Sequence, residues 1–136
     1  ERGIVAPSRL QCIIDQAMAE AYLGLGNLSA ATAHAQAVIE REEIALYPDA
    51  YRTLAESQWH NGNLAAALQL VTSAIHYAQQ NRDRYLEAFA WRVAMQIHYA
   101  RQDLSAAQQS LTQASKLFTD LNLPDEIEKL ARLTRR

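Results

Sequence analysis

Gly26-Asn27-Leu28-Ser29-Ala30-Ala31, Gly62-Asn63-Leu64-Ala65-Ala66-Ala67 and Gln102-Asp103-Leu104-Ser105-Ala106-Ala107 are three versions of one segment, spaced 36 and then 40 residues apart. Each reads as the junction between two helices. Gly tolerates the positive φ that closes a helix, and the Asn or Asp after it can cap the free N–H groups of the next one. Beyond each junction, Ala31 and Val38, Ala67 and Ala74, and Ala107 and Ala114 share a helical face, with Ala35, Val71 and Leu111 between them. Small residues so placed let a neighbouring helix approach closely. A second theme precedes each junction: Asp15, Met18, Ala19 and Tyr22, then Tyr51, Leu54, Ala55 and Gln58, then Trp91, Ala94, Met95 and His98.

The rest of the chain agrees with helices throughout. Its 136 residues are 49% hydrophobic but only 7% aromatic, the balance being Ala and Leu, both strong helix formers. Three prolines and four glycines leave room for long elements joined by short turns. The length suits one domain with its own core. A net charge of −2 from interspersed acids and bases argues against a phosphate-binding surface, so nucleic acid is not an expected partner. No apolar run approaches the roughly 18 residues of a membrane span. Cys12 is the single cysteine, which fits a reducing, cytoplasmic setting. A chain that begins at Glu1 reads as a piece of something larger.

These residues resemble the tetratricopeptide repeat family, whose first helix carries a large residue, a Leu, a small residue and a Tyr, and whose second carries Ala-x6-Ala. The likeness covers roughly residues 10–121 and is fullest in the middle repeat, at Tyr51, Leu54, Ala55, Gly62, Ala67 and Ala74. Asp15 in place of a bulky residue, and Gln58 and His98 in place of Tyr, depart from the pattern. So do Gln102 in place of Gly and the swapped order of Ala94 and Met95, and the first and third pairs are expected to pack less regularly. The resemblance implies an all-α, right-handed superhelix of three antiparallel helix pairs. They fall at 8–45, 48–81 and 83–121, after a lead-in over 1–7 and before a C-terminal capping helix over 124–136. Ser8 is the expected cap of the first helix. The spacing exceeds the family's usual repeat, so the second helix of each pair or the connection after it should be longer, with residues 79–84 the expected site.

In this family the concave side, lined by the first helix of each pair, is the usual ligand surface. Counting back from each turn, the lining is Ile13, Gln16, Glu20 and Leu23, then Asp49, Arg52, Glu56 and Trp59 with His60 beside it, then Phe89, Arg92, Gln96 and Tyr99. Trp59 and Tyr99 are equivalent, and large aromatics are common in protein-binding hot spots. Arg52 and Arg92 are equivalent too, and their planar guanidinium groups suit a carboxylate or a phosphorylated side chain. The bland reading is that Arg52 simply pairs with Glu56 one turn away and that Trp59 is a packing residue. Co-chaperones of the family hold a terminal carboxylate with an Asn at the place occupied here by Glu20, Glu56 and Gln96, so chaperone tails are not expected ligands.

Catalysis finds little support. His34, His60, His76 and His98 have no metal-binding spacing, and Gly24 to Asn27 is a turn without the Lys of a phosphate loop. The expectation is a non-enzymatic module without cofactor that binds a protein or peptide bearing an acidic group. Ala-rich outer faces and an uncapped end suit a homodimer. The alternative is a sensor, regulatory or oligomerisation segment of a larger bacterial signalling ATPase or transcription regulator. Residues 117–124 look like the close of such arrays.

Overall fold

The computed structural model describes residues 7–134. Seven α-helices run in order: α1 (Pro7–Gly24), α2 (Leu28–Glu40), α3 (Tyr47–His60), α4 (Leu64–Gln80), α5 (Arg84–Ala100), α6 (Leu104–Asp120) and α7 (Pro124–Thr134). A 3₁₀ turn, Ile44–Leu46, precedes α3, and no strand occurs among the described residues. None of these helices is long and apolar enough to cross a membrane.

Helices α1 to α6 each end at a residue of positive φ. At Gly26 and Gly62 the chain turns through φ of 81° and 83°, and at Glu42, Arg82, Gln102 and Asn122 through 54° to 62°. Around Gly26 the amide of Asn27 donates to the Tyr22 carbonyl at 2.9 Å and that of Gly26 to Leu23 at 3.0 Å, the paired bonds of a Schellman close. The pattern recurs at Gly62, Arg82, Gln102 and Asn122. The side chains of Asn27, Asp83 and Asp103 then cap the following helices through the amides of Ala30, Leu86 and Ala106. Asn63 does not; its side-chain amide donates to Gln58 Oε1 instead.

Helices pair as α1 with α2, α3 with α4 and α5 with α6, each pair stacks on the next, and α7 closes the end against α6. Three core clusters mark these junctions. Cys12, Ala19, Ala35, Val38, Ala50 and Leu54 hold the first, and Ala55, Ala67, Val71, Ala74, Val93 and Ile97 lie in the second. Met95, Ala114, Leu117, Phe118 and Leu130 belong to the third. Alanines at the crossings are fully buried, which is how helices come close enough to exclude water with so few large side chains. The all-α stack of three helix pairs and a capping helix is the architecture that the repeated junctions imply.

Two local expectations change. Ser8 lies inside α1 rather than ahead of it, as does Pro7 of the expected lead-in, whose residues 1–6 lie outside the described residues, as do 135 and 136 at the far end. Residues 79–84 hold no longer join: the turn there has the same form as the others, and the 40-residue spacing comes from α4 and α5, of 17 residues each. The first spacing is shorter because α2 has 13 residues and α3 has 14, with the 3₁₀ turn between them. That turn is braced by Asn81, whose side chain donates to the Ile44 carbonyl at 3.0 Å.

Candidate functional site

The first helices of the pairs stand side by side, α1 by α3 and α3 by α5, while α7 packs on α6 and reaches α5 through the Arg92–Glu126 ion pair. Register from the positive-φ residues Arg82 and Asn122 sets α7 over α5 at an offset of 40 residues, so buried Leu130 matches buried Ala90. Arg132 then matches Arg92, as Arg92 matches Arg52. A column of three arginines results, one from each of α3, α5 and α7.

All three line one cavity of about 400 Å³. Its walls are Arg52 and Glu56 of α3, Phe89, Arg92, Val93 and Gln96 of α5, and Lys129, Arg132 and Leu133 of α7. A second hollow of about 390 Å³ adjoins it, shared by Glu20, Asp49, Arg52, Tyr85, Leu86, Phe89 and Arg92.

Charge is distributed unevenly along this surface. Arg52 Nη1 bonds Glu56, and Nη2 lies 3.3 Å from Asp49 and 3.6 Å from Glu20. Burial alone would lower the Arg52 pKa, but these three carboxylates raise it. Burial, together with the charge of Glu20, pushes the Asp49 carboxyl up, against the pull of Arg52. Arg92 has a different setting: its guanidinium lies 4.7 Å from the Phe89 ring centroid and donates to Glu126 of α7 at 2.7 Å. Although burial raises Glu126, the hydrogen bond and charge of Arg92 and the charge of Lys129 hold its carboxyl below the usual range. Arg132 makes no ion pair with a described residue and is exposed. Near α3 one cation faces three anions, whereas near α7 Arg92 and Lys129 share Glu126 and Arg132 adds a further cation paired with no described residue.

The structure therefore brings together Glu20, Asp49, Arg52, Glu56, Phe89, Arg92 and Gln96 around the two hollows. It sets the other expected residues elsewhere. Gln16 is buried and donates to Glu20 and to Thr53. Trp59 packs on the middle core cluster and stacks on exposed His60. Tyr99 packs on the third cluster. Leu23 is half-buried on α1, and Ile13 lies exposed on the same helix. Lys129, Arg132 and Leu133 of α7 lie outside the expected lining, because α7 follows no glycine-type repeat junction of its own, though the recurrence of Arg at 52, 92 and 132 marks their place.

The remaining polar groups are structural in their surroundings. Asp15, standing where a bulky residue is usual, is 6% exposed and receives His34 at 2.8 Å and Arg41 at 2.7 Å. Burial raises its pKa, but the hydrogen bonds from His34 and Gln11 and the charge of Arg41 lower it further. His98 is lowered by burial, and its Nδ1 has no hydrogen-bond partner among the described residues. No group of three or more His, Cys, Asp or Glu suited to a metal ion occurs among the described residues. Cys12 is 1% exposed.

The fold these features define is a helical-hairpin stack of the tetratricopeptide type. No family model matches the chain, and no curated protein matches it. Among solved structures, the N-terminal domain of stress-induced protein-1 from C. elegans is similar, with a TM-score of 0.71 at 20% identity. The match spans 93% of this chain and 99% of that domain.

Proposed function

We propose that the chain is a non-catalytic protein-interaction module whose concave side takes an acidic segment of a partner protein, with the acidic group directed to the α7 end of the groove. The observation that carries this reading is the arginine column, in which Arg52 is compensated three times over, Arg92 once, and Arg132 by no described residue. An incoming carboxylate at the α3 end meets Glu20, Asp49 and Glu56. At the α7 end it meets Lys129 and Arg132 above the apolar floor of Phe89, Val93 and Leu133. Charge of this kind steers encounter and fixes register, while the apolar floor supplies contact area.

The test is fluorescence anisotropy with a labelled peptide of alternating Glu and Leu and its Gln-for-Glu counterpart. The acidic peptide should bind more tightly, and more so at low salt. Replacing Lys129 and Arg132 together by Ala should weaken it about tenfold, roughly 1.4 kcal/mol, without loss of helicity. Equal binding of the two peptides, or no binding of either, would remove the reading.

A further inference from the structure

We infer that the α7 end of the groove takes the phosphate of a phosphorylated side chain in the partner segment, held by Arg92, Lys129 and Arg132 across α5 and α7. The inference rests on the acidic-segment reading above and narrows it from any acid to a dianion.

An anion of the chain's own already lies at this place. Glu126 of α7 receives Arg92 Nη1 on Oε1 at 2.7 Å and has Lys129 Nζ 3.5 Å from Oε2, so one carboxylate bridges two helices. Burial raises its pKa, yet the hydrogen bond and charge of Arg92 and the charge of Lys129 hold it below the usual range, the mark of a positive surrounding. Arg132 joins Arg92 and Lys129 in the cavity wall and pairs with no described residue. Three cations against one carboxylate leave two positive charges over, since Arg52 and Glu56 of the same wall pair with each other. A partner's carboxylate would cancel one of the two. A phosphate monoester, carrying about −1.5 to −2 at neutral pH, cancels both. At the other end of the groove Glu20, Asp49 and Glu56 enclose Arg52 and repel a dianion.

Donors and shape agree with the charge. A phosphate presents three acceptor oxygens, one for each cation, where a carboxylate presents two. Arg92 gives Glu126 a single nitrogen and lies over the Phe89 ring with its side chain 18% exposed, so the deepest donor is steadied and partly shielded from water. The cavity of about 400 Å³ is larger than a phosphate group fills, and Phe89, Val93 and Leu133 line the remainder. That remainder suits the side chain that bears the phosphate, and the second hollow continues the path of the segment along α3 and α5. Inorganic phosphate would leave both unfilled.

Fluorescence anisotropy decides the matter with two rhodamine-labelled peptides of alternating Glu and Leu, identical except that one carries phosphoserine in place of its central Glu. The two side chains are alike in reach and differ by one charge. At pH 7.5 the phosphopeptide should bind about tenfold tighter. The advantage should fade by pH 5, below the second phosphate pKa of about 6. The charged groups that face it are Arg52 and Glu56 of α3, Arg92 of α5, and Glu126, Lys129 and Arg132 of α7; none is a histidine, so the fading belongs to the ligand. Replacing Lys129 and Arg132 together by Ala should make the two peptides equal while helicity is kept. Should that pair fail to fold, Arg132→Gln alone, at an exposed position, should still cut the advantage about threefold. Binding of neither peptide would sink the acidic-segment reading and this inference with it. Equal affinities at pH 7.5 would sink this inference alone, as would an advantage that persists at pH 5, one that survives these substitutions, or inorganic phosphate competing at the phosphopeptide's own concentration.

Discussion

At Gly62 the backbone adopts φ of 83° with no atom within 4 Å of where a Cβ would stand, so conformation alone demands the glycine. Gly62→Ala should cost about 1 kcal/mol in urea unfolding, whereas Gln102→Gly, at φ of 62°, should stabilise by up to about 1 kcal/mol. The two glycine turns were legible because residue type announces the angle. Glu42 and Arg82 adopt the same angle unannounced, since reversal of the chain dictates it there. Asp15 was legible as an exception but not in its resolution, which depends on His34 and Arg41 arriving from another helix. Two carboxyls are held below their usual range in the fold, Asp15 and Glu126. A carboxylate with a lowered folded pKa contributes stability that is present above its unfolded pKa and is lost as pH falls through the folded value. Denaturation midpoints should therefore drop on acidification below the ordinary carboxylate range, and Glu126→Gln, costing about 1 kcal/mol at neutral pH, should flatten that drop.

Between elements, the packing depends on alanine as much as on bulk. Ala55 is fully buried in the middle cluster, and Ala55→Leu should destabilise by about 1–3 kcal/mol through overpacking. The paired helices and the buried stripes could be read from the three junctions, because period and cap chemistry are local signals. Helix lengths could not: the extra residues between the second and third junctions extend α4 and α5 inside their regular periodicity and leave no mark of their own. The dual role of α7 was equally silent. One face seats Leu130 against Phe118 and Met95, and the other completes the cavity with Lys129 and Arg132. Leu130→Ala should cost about 2–4 kcal/mol and, in hydrogen exchange, release α7 while α3 and α4 stay protected.

Across the whole molecule each helix pair contacts only its neighbours, so the groove is a sum of adjacent strips rather than a single preformed pocket. Its floor and its charges come from α3, α5 and α7, and its basic end exists only while α7 holds its place on α6. Five of the nine residues that line the larger cavity could be named from the sequence, because turn-centred counting puts Arg52, Glu56, Phe89, Arg92 and Gln96 on one side. Trp59 and Tyr99 satisfy the same count yet pack into core clusters, since a large aromatic near the end of a helix can bend toward the neighbouring pair. The most direct measurement is an amide chemical-shift titration of the chain with the alternating Glu and Leu peptide. Saturable shifts should gather at Phe89, Arg92, Gln96, Lys129, Arg132 and Leu133 and spare Thr72 and Gln108 on the second helices. Shifts confined to those second helices or to the outer face of α1, or none at all, would contradict a basic groove built by α3, α5 and α7.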